Sequence, residues 1–260
     1  MLKIFKYSFY DVLRSRWMIL YFSFFLITTF SLLYFSSDLS KGIASLMNVI
    51  ILIIPLISTV FGVMHYYNHR EFIDLLLSQP VQRKQVFLGE YLGLSVSLSI
   101  SFLLGTLIPF LIYDLLVSHE VWNFIILIAA GTMLTFIFTA TSFLISILNE
   151  DRIKGFGIAI LVWLYLAVIY DGLMLLFFVS FNDYPLETPA MILTILNPID
   201  LSRVLVLLKL DISALMGFTG AVFSDFFGNA KGMLLSALSM LLWIIFPVLG
   251  FLKCASKKDF

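Results

Sequence analysis

Long apolar runs separated by short polar segments dominate the hydrophobicity pattern of this chain. Several runs reach the roughly 20 residues that an α-helix needs to cross the hydrocarbon core of a membrane. Spans of this length, rather than the period-two alternation of strands, indicate an all-α, polytopic membrane protein. Six transmembrane helices are predicted, over residues 17–35, 43–64, 91–113, 121–148, 155–181 and 232–252.

A short amphipathic helix is predicted before the first span, over residues 1–16. Its apolar side chains recur at helical spacing and share one side of a helical wheel; they are Leu2, Phe5, Phe9, Val12 and Leu13. A basic helix of this kind lies in the headgroup plane, so we expect an interfacial elbow helix that leads into the first span. No small-residue cleavage site closes that span, and we expect the N-terminus to be retained.

A second short helix is predicted between spans two and three, within residues 65–90. The stretch REFIDLLLSQP separates on a helical wheel into an apolar arc and a polar arc. The apolar arc holds Phe72, Ile73, Leu75, Leu76 and Leu77, and the polar arc holds Arg70, Glu71, Asp74 and Ser78. Arg70 and Asp74 have the i, i+4 spacing of an ion pair. Pro80 disfavours helical geometry at Gln79 and should end the helix.

The segment 182–231, between spans five and six, is too apolar for a solvated loop and too interrupted for a span. Short helices that lie on the outer surface, or that dip into the membrane and return, fit this pattern best. With no internal repeat and no second soluble domain in view, we interpret residues 1–260 as a single transmembrane domain.

Composition and charge agree with this picture and add an orientation. The chain is 61% hydrophobic and 12% charged, with a mean hydropathy of +1.06. Lys and Arg concentrate in cytoplasmic loops of membrane proteins, so both termini of this multi-pass protein are predicted to be cytoplasmic. Twelve of the 16 Lys and Arg lie in segments 1–16, 65–90, 149–154 and 253–260, and the other four are Lys41, Arg203, Lys209 and Lys231.

Several kinds of chemistry are missing from the sequence. There is no phosphate-binding loop and no dinucleotide glycine fingerprint, so any ATP must be hydrolysed by another chain. The single cysteine, Cys254, excludes an internal disulfide and a CxxC motif. We therefore expect no cofactor in this chain, no enzymatic activity and no nucleic-acid partner.

A metal site is not predicted either. His65 and His69 have the i, i+4 spacing that can place two imidazoles on one helix face. Tyr66 stands where the general-base Glu of a zincin follows the first His, and no third ligand is evident. The methionines form no MxxM or MxM cluster of the kind that holds copper(I). We interpret the two histidines as polar residues at the inner membrane surface.

Asp171 is the sharpest polar interruption of a predicted span. A carboxylate at membrane depth usually marks a transport pathway, a proton relay or a buried pair. In the alternative interpretation, Asp171 and Gly172 end the fifth span and residues 173–181 form an outer helix. Both alternatives remain open at the level of the sequence.

Two segments resemble one family. The stretches REFIDLLLSQPVQRKQVFLGEYLGL and LNPIDLSRVLVLLKLDISALMGFTGAVF resemble the cytoplasmic signature and outer segment of type-2 ABC transporter permeases, particularly the NosY branch of nitrous oxide reductase maturation systems. The resemblance implies a homodimer clamped by a pair of ABC ATPase subunits, which hold ATP and Mg. It also implies that the helix from residue 70 to 79 is a coupling helix.

The resemblance further assigns roles to residues. ATPase coupling is implied for the motif positions Arg70, Glu71, Phe72, Ile73, Asp74, Leu75, Leu76 and Pro80. Contact with a periplasmic copper-processing protein of the NosD type is implied for Asn197, Pro198, Asp200 and Arg203. The expected function is ATP-driven conformational change that serves copper delivery. The alternative is an ATP-independent polytopic protein, either an ion-coupled carrier that uses Asp171 or a membrane scaffold.

Overall fold

The computed structural model describes residues 1–36, 38–78, 80–113, 115, 118–181, 186–209 and 230–257. Nearly all of these residues belong to helices. In chain order the helices are α1 Leu2–Arg14, α2 Arg16–Phe35, α3 Leu39–Asn68, α4 Arg70–Leu77, α5 Arg83–Ile112, α6 Val121–Leu148, α7 Arg152–Leu164, a π-helical turn Tyr165–Ile169, α8 Tyr170–Ser180, α9 Glu187–Ile195, α10 Pro198–Lys209 and α11 Ala230–Lys257.

Among the described residues, six helices are long and apolar enough to cross a membrane, which confirms the predicted all-α, six-span architecture. The spans are α2, α3, α5, α6, the continuous unit Arg152–Ser180 formed by α7, the π-helical turn and α8, and Leu234–Ser256 within α11. Several helices extend beyond their apolar runs. The third span, for example, begins at Arg83, eight residues before the predicted start, because its polar first turns are also helical.

The bundle is held together by close helix approaches at small residues. A Cβ atom added at Gly62 of α3 would lie 2.6 Å from Ser142 Cβ of α6. Ser95 of α5 and Thr139 of α6 join their hydroxyl groups at 2.8 Å. Lipid tails are as apolar as the side chains, so the hydrophobic effect does not bring membrane helices together. Small and hydroxyl-bearing residues instead allow the helices to pack closely.

The N-terminal helix α1 is a separate helix, as predicted for residues 1–16, and it packs against the first turns of α5. A Cβ atom added at Gly93 would lie 2.6 Å from Ser8 Oγ and 3.0 Å from the backbone nitrogen of Phe9. Ser15 separates α1 from α2 with extended backbone, and its hydroxyl caps α2 by accepting from the Met18 amide at 3.3 Å. The elbow helix therefore contacts the third span directly.

Between spans five and six, α9 and α10 form a pair bent by 114°. The bend agrees with the predicted short or re-entrant helices; read instead as one broken span, the pair would raise the number of spans to seven. The indole Nε1 of Trp243 on α11 donates to the Ile195 carbonyl at 3.2 Å, close to the bend. Two parts of the predicted outer segment, residues 182–185 and 210–229, lie outside the described residues.

Candidate functional site

The polar segments gather at two ends of the bundle. We call the end that carries residues 1–15, 65–90, 149–154 and 253–257 the terminal face, and the other end the opposite face. At the terminal face the Met1 amino group donates to Gln85 Oε1 at 3.3 Å. The Tyr67 hydroxyl donates to the Asn149 carbonyl at 2.7 Å. The N-terminal helix and both loops at this end therefore form one continuous surface.

Helix α4 lies on the terminal face, and its buried side fixes it to three other helices. Ile73 is 1% exposed, and Leu76 and Leu77 pack against the hydrophobic core. The Phe72 ring stacks on the Tyr7 ring of α1, with centroids 4.9 Å apart. Helix α4 also packs on α3 and α5. An eight-residue helix is too short to be stable alone, so these contacts stabilise it.

The exposed side of α4 is formed by Glu71, Asp74, Leu75 and Ser78. These positions are spaced i, i+3, i+4 and i+7, so they form one stripe along the helix. The helical wheel assigned Leu75 to the apolar arc, but its side chain is 67% exposed. The exposed stripe therefore presents one leucine beside two carboxylates.

The two ends of α4 differ from the sequence-based expectation in detail. Arg70 Nη1 donates to the Glu150 carbonyl at 3.3 Å. The predicted pair with Asp74 is not among the ion pairs of the residues that the structure describes. Helix α4 ends at Leu77, and Pro80 follows exposed, which agrees with its predicted role as a helix stop. Gln79, the predicted last residue, lies outside the described residues.

A buried cluster of titratable side chains lies at the base of α4. His65 Nε2 is 2.8 Å from Glu90 Oε2, and His69 Nδ1 is 3.3 Å from the same oxygen. His69 Nε2 is 3.3 Å from Asp11 Oδ2 of α1. The sequence shows no evident third ligand for the two histidines, but the structure places Glu90 beside both. We call Asp11, His65, His69 and Glu90 the histidine–carboxylate cluster.

Two members of this cluster are buried. Glu90 is fully buried and His65 is 8% exposed. Ser8 Oγ lies 3.3 Å from His65 Nε2 and also reaches the Glu90 carbonyl at 3.5 Å. Burial alone would lower the pKa of His69, but the neighbouring Glu90 and Asp11 carboxylates outweigh burial, so the pKa of His69 lies above its usual value.

A second polar cluster lies at the opposite face and includes most of the residues predicted for the outer segment. Arg203 Nη1 lies 2.9 Å from Asp171 Oδ2 and 3.2 Å from Asp200 Oδ1. Asn197 Nδ2 donates to Asp200 Oδ2 and to the Leu166 carbonyl of the π-helical turn, both at 2.9 Å. We call Asp171, Asn197, Asp200 and Arg203 the arginine–aspartate cluster.

This cluster holds α10 against the fifth span. Asn197, Pro198 and Asp200 are buried, whereas the Arg203 side chain is 34% exposed. The contacts observed for Asn197, Asp200 and Arg203 are internal to the chain. Their predicted contact with a periplasmic partner stays a prediction.

Asp171 lies inside an uninterrupted helix. The backbone stays helical through Tyr170, and α8 continues to Ser180. The interpretation in which Asp171 and Gly172 end the fifth span is therefore wrong. Asp171 forms an ion pair with Arg203, but both side chains are about one-third exposed, so the pair is not the buried one considered from the sequence. A glycine following a carboxylate suggested a helix end, but Gly172 has no atom within 4 Å of an added Cβ and imposes no break.

Comparisons with known proteins agree with this architecture. The sequence profile of the ABC-2 family transporter proteins matches residues 2–255. A protein of Stutzerimonas stutzeri described as "Probable ABC transporter permease protein NosY" is 25% identical over 244 aligned positions, which cover 86% of this chain and 82% of that protein. Six apolar helices together with a family match over nearly the whole chain establish a multi-pass membrane protein. The chain thus belongs to the ABC-2 family of transporter proteins and is a permease subunit of an ABC transporter.

Proposed function

We propose that the chain couples ATP hydrolysis on a separate ATPase subunit to a conformational change at the periplasmic face. The observation that carries the proposal is the exposed stripe of α4. Glu71, Asp74 and Leu75 point away from the bundle, whereas Ile73 is fixed inside it. Charged groups around an apolar contact suit a specific protein interface, because the charges select the partner and the apolar group adds affinity.

The attachment of α4 to the spans supports a mechanical role. His69 is the only residue between α3 and α4, so a displacement of α4 acts on the second span without an intervening flexible segment. The stack of Phe72 on Tyr7 and the hydrogen bond from Arg70 carry the same displacement to α1 and to the loop before α7. Packed helices transmit such movements as rigid bodies.

The orientation and the assembly are parts of the same proposal. The excess of Lys and Arg on the terminal face supports a cytoplasmic location for that face. The similarity to a permease of Stutzerimonas stutzeri supports the bacterial inner membrane as the location of the protein. Two copies of the chain would meet an ATPase pair that supplies ATP and Mg. In this arrangement the arginine–aspartate cluster faces the periplasm.

The resemblance to the NosY branch supports copper delivery for nitrous oxide reductase maturation as the process served, with a periplasmic partner of the NosD type. An ion-coupled carrier would need Asp171 to exchange a proton or an ion. Its carboxylate is instead 2.9 Å from the Arg203 guanidinium, which favours a structural role. The copper content of nitrous oxide reductase from cells that lack this chain would test the process directly.

Charge reversal on α4 tests the coupling. We expect the Glu71→Lys, Asp74→Lys double variant to bind its ATPase at least about tenfold more weakly, or about 1.4 kcal/mol, because juxtaposed like charges oppose docking. The measurement is co-purification and stimulated ATPase activity in nanodiscs. Asp38→Lys, an exposed aspartate at the opposite face, is the matched control. Normal ATPase binding and stimulation in a folded double variant would contradict the proposal.

A further inference from the structure

We propose that His65, His69 and Glu90 bind a divalent metal cation of the zinc class at the base of α4. Each residue offers one ligand atom, and the three atoms lie within 4.8 Å of one another. Two imidazoles and a carboxylate are a donor set that zinc accepts in proteins, commonly with water or another group at the remaining position. The site does not depend on the ATPase, so the inference stands apart from the proposed function.

Unpartnered atoms in the cluster provide the second observation. In the described part of the chain, the buried atom Glu90 Oε1 has no hydrogen-bond partner, and His69 Nδ1 makes no hydrogen bond although it lies 3.3 Å from Glu90 Oε2. Buried polar atoms without partners carry a substantial free-energy penalty, and each such atom in a native protein needs an explanation. A cation between these atoms would give both of them a partner.

Asp11 prepares His69 for such a role. The Asp11 carboxylate lies 3.3 Å from His69 Nε2 and can accept its proton, which leaves the Nδ1 lone pair directed at Glu90. A carboxylate that holds the second nitrogen of a ligating histidine is the common arrangement around protein-bound zinc.

The charge and the space at the cluster favour a cation. A cavity of about 180 Å³ adjoins His65 and His69 and is also bordered by Asp11, Ser15, Met64 and Asn68. No Lys or Arg is among the described residues that line it. The volume exceeds what one water molecule requires, so the cavity leaves room for a water ligand and for entry of the ion.

Metal binding at this position would join three helices where α4 begins. Glu90 belongs to α5, His65 belongs to the end of α3, and His69 follows α3 and contacts Asp11 of α1. Because His69 is also the residue before α4, an ion here would restrict the movement of α4 relative to the spans. The chemistry therefore assigns the ion a stabilising role in the region proposed to couple ATP hydrolysis.

Zinc titration of the full chain tests the site. The purified chain, stripped with a chelator in detergent and without ATPase, is expected to bind one Zn²⁺ and to unfold at a higher temperature in its presence. Co²⁺ should replace Zn²⁺ and give visible absorption bands from nitrogen and oxygen ligands. Glu90→Gln and His69→Gln should abolish both signals, whereas the matched control His119→Gln should keep them.

A milder variant keeps the test decisive if a ligand variant does not fold. The Asp11 side chain is 51% exposed, and Asp11→Asn should still fold but bind Zn²⁺ about 10–100-fold more weakly. Absence of Zn²⁺ binding by the folded wild-type chain would overturn the proposal. Binding that persists in folded Glu90→Gln, or that is lost in His119→Gln, would also overturn it, since it would show adventitious binding.

Discussion

The arginine–aspartate cluster and the histidine–carboxylate cluster both bring carboxylates into largely apolar surroundings, but they compensate the charge differently. At the opposite face, a single guanidinium serves both Asp171 and Asp200, and Asn197 adds a further donor. At the terminal face, Glu90 faces two imidazoles whose charge depends on protonation, and one of its oxygens is unpartnered among the described residues. Arginine keeps its charge under all physiological conditions, whereas histidine does not.

This difference indicates different uses. A permanent cation between two carboxylates makes a fixed joint, which suits the attachment of α10 to the fifth span. A cluster that lacks a permanent cation can accept and release one, which suits a joint whose strength changes. The fixed joint lies far from the proposed ATPase contact, and the adjustable one lies directly beneath it.

The largest expected effect comes from removing the fixed cation. Arg203→Met leaves Asp171 and Asp200 without their shared partner, and we expect a loss of about 3 kcal/mol in the free energy of unfolding. Unfolding of the purified chain in detergent is the measurement. Arg16→Met, which removes an exposed arginine at the start of α2, should change stability by less than about 0.5 kcal/mol. Equal effects of the two variants would remove the distinction between a fixed joint and ordinary surface charge.

The second largest effect is expected from moving α1, which contributes a residue to the histidine–carboxylate cluster and none to the arginine–aspartate cluster. A Cβ atom at Gly93 would lie 2.6 Å from Ser8 Oγ, so Gly93→Ala should push α1 away from α5. We expect a loss of about 2 kcal/mol, as in other overpacked contacts, and weaker approach of Asp11 to His69. Gly157→Ala, where an added Cβ meets no atom within 4 Å, is the matched control and should be neutral or slightly stabilising. An unchanged unfolding midpoint in Gly93→Ala would mean that α1 adjusts freely.

The smallest effect is expected at the terminal face in the absence of metal. With a chelator present, Glu90→Gln removes a charge that lacks a permanent counter-ion, so the loss should be only about 1.5 kcal/mol, near the lower end for hydrogen bonds to charged groups. Chelator-treated wild type, unfolded in parallel, provides the reference. A loss as large as that of Arg203→Met would show that protonated histidines complete the cluster as firmly as arginine does.

Much of the fold could be predicted from hydrophobicity alone. Apolar runs located all six spans, and the predicted bounds of the fourth span coincide with α6, because lipid and protein core both require apolar side chains there. The predicted ends of other spans fell short, since Arg83 to Glu90 are helical although they are partly polar. Helical hydrogen bonding continues past the point where hydropathy changes.

The polar clusters could not be predicted in the same way, because each joins residues that are distant along the chain. Glu90 is 25 residues from His65 and meets it only because α3, α4 and α5 fold back on one another. One signal was present: Glu90 lies directly before an apolar span, where a carboxylate needs a partner. Leu75 was misassigned because a helical wheel gives angular positions but not which part of the apolar arc the neighbouring helices cover.

The π-helical turn Tyr165–Ile169 changes the direction in which the later side chains of the fifth span point, compared with an unbroken α-helix. A π-helical turn holds an additional residue, and each residue in a helix corresponds to a rotation of about 100°. Everything after Ile169, including the Asp171 carboxylate, is rotated accordingly relative to α7. The ion pair between Asp171 and Arg203 therefore depends on the additional residue in the π-helical turn as well as on the two side chains themselves.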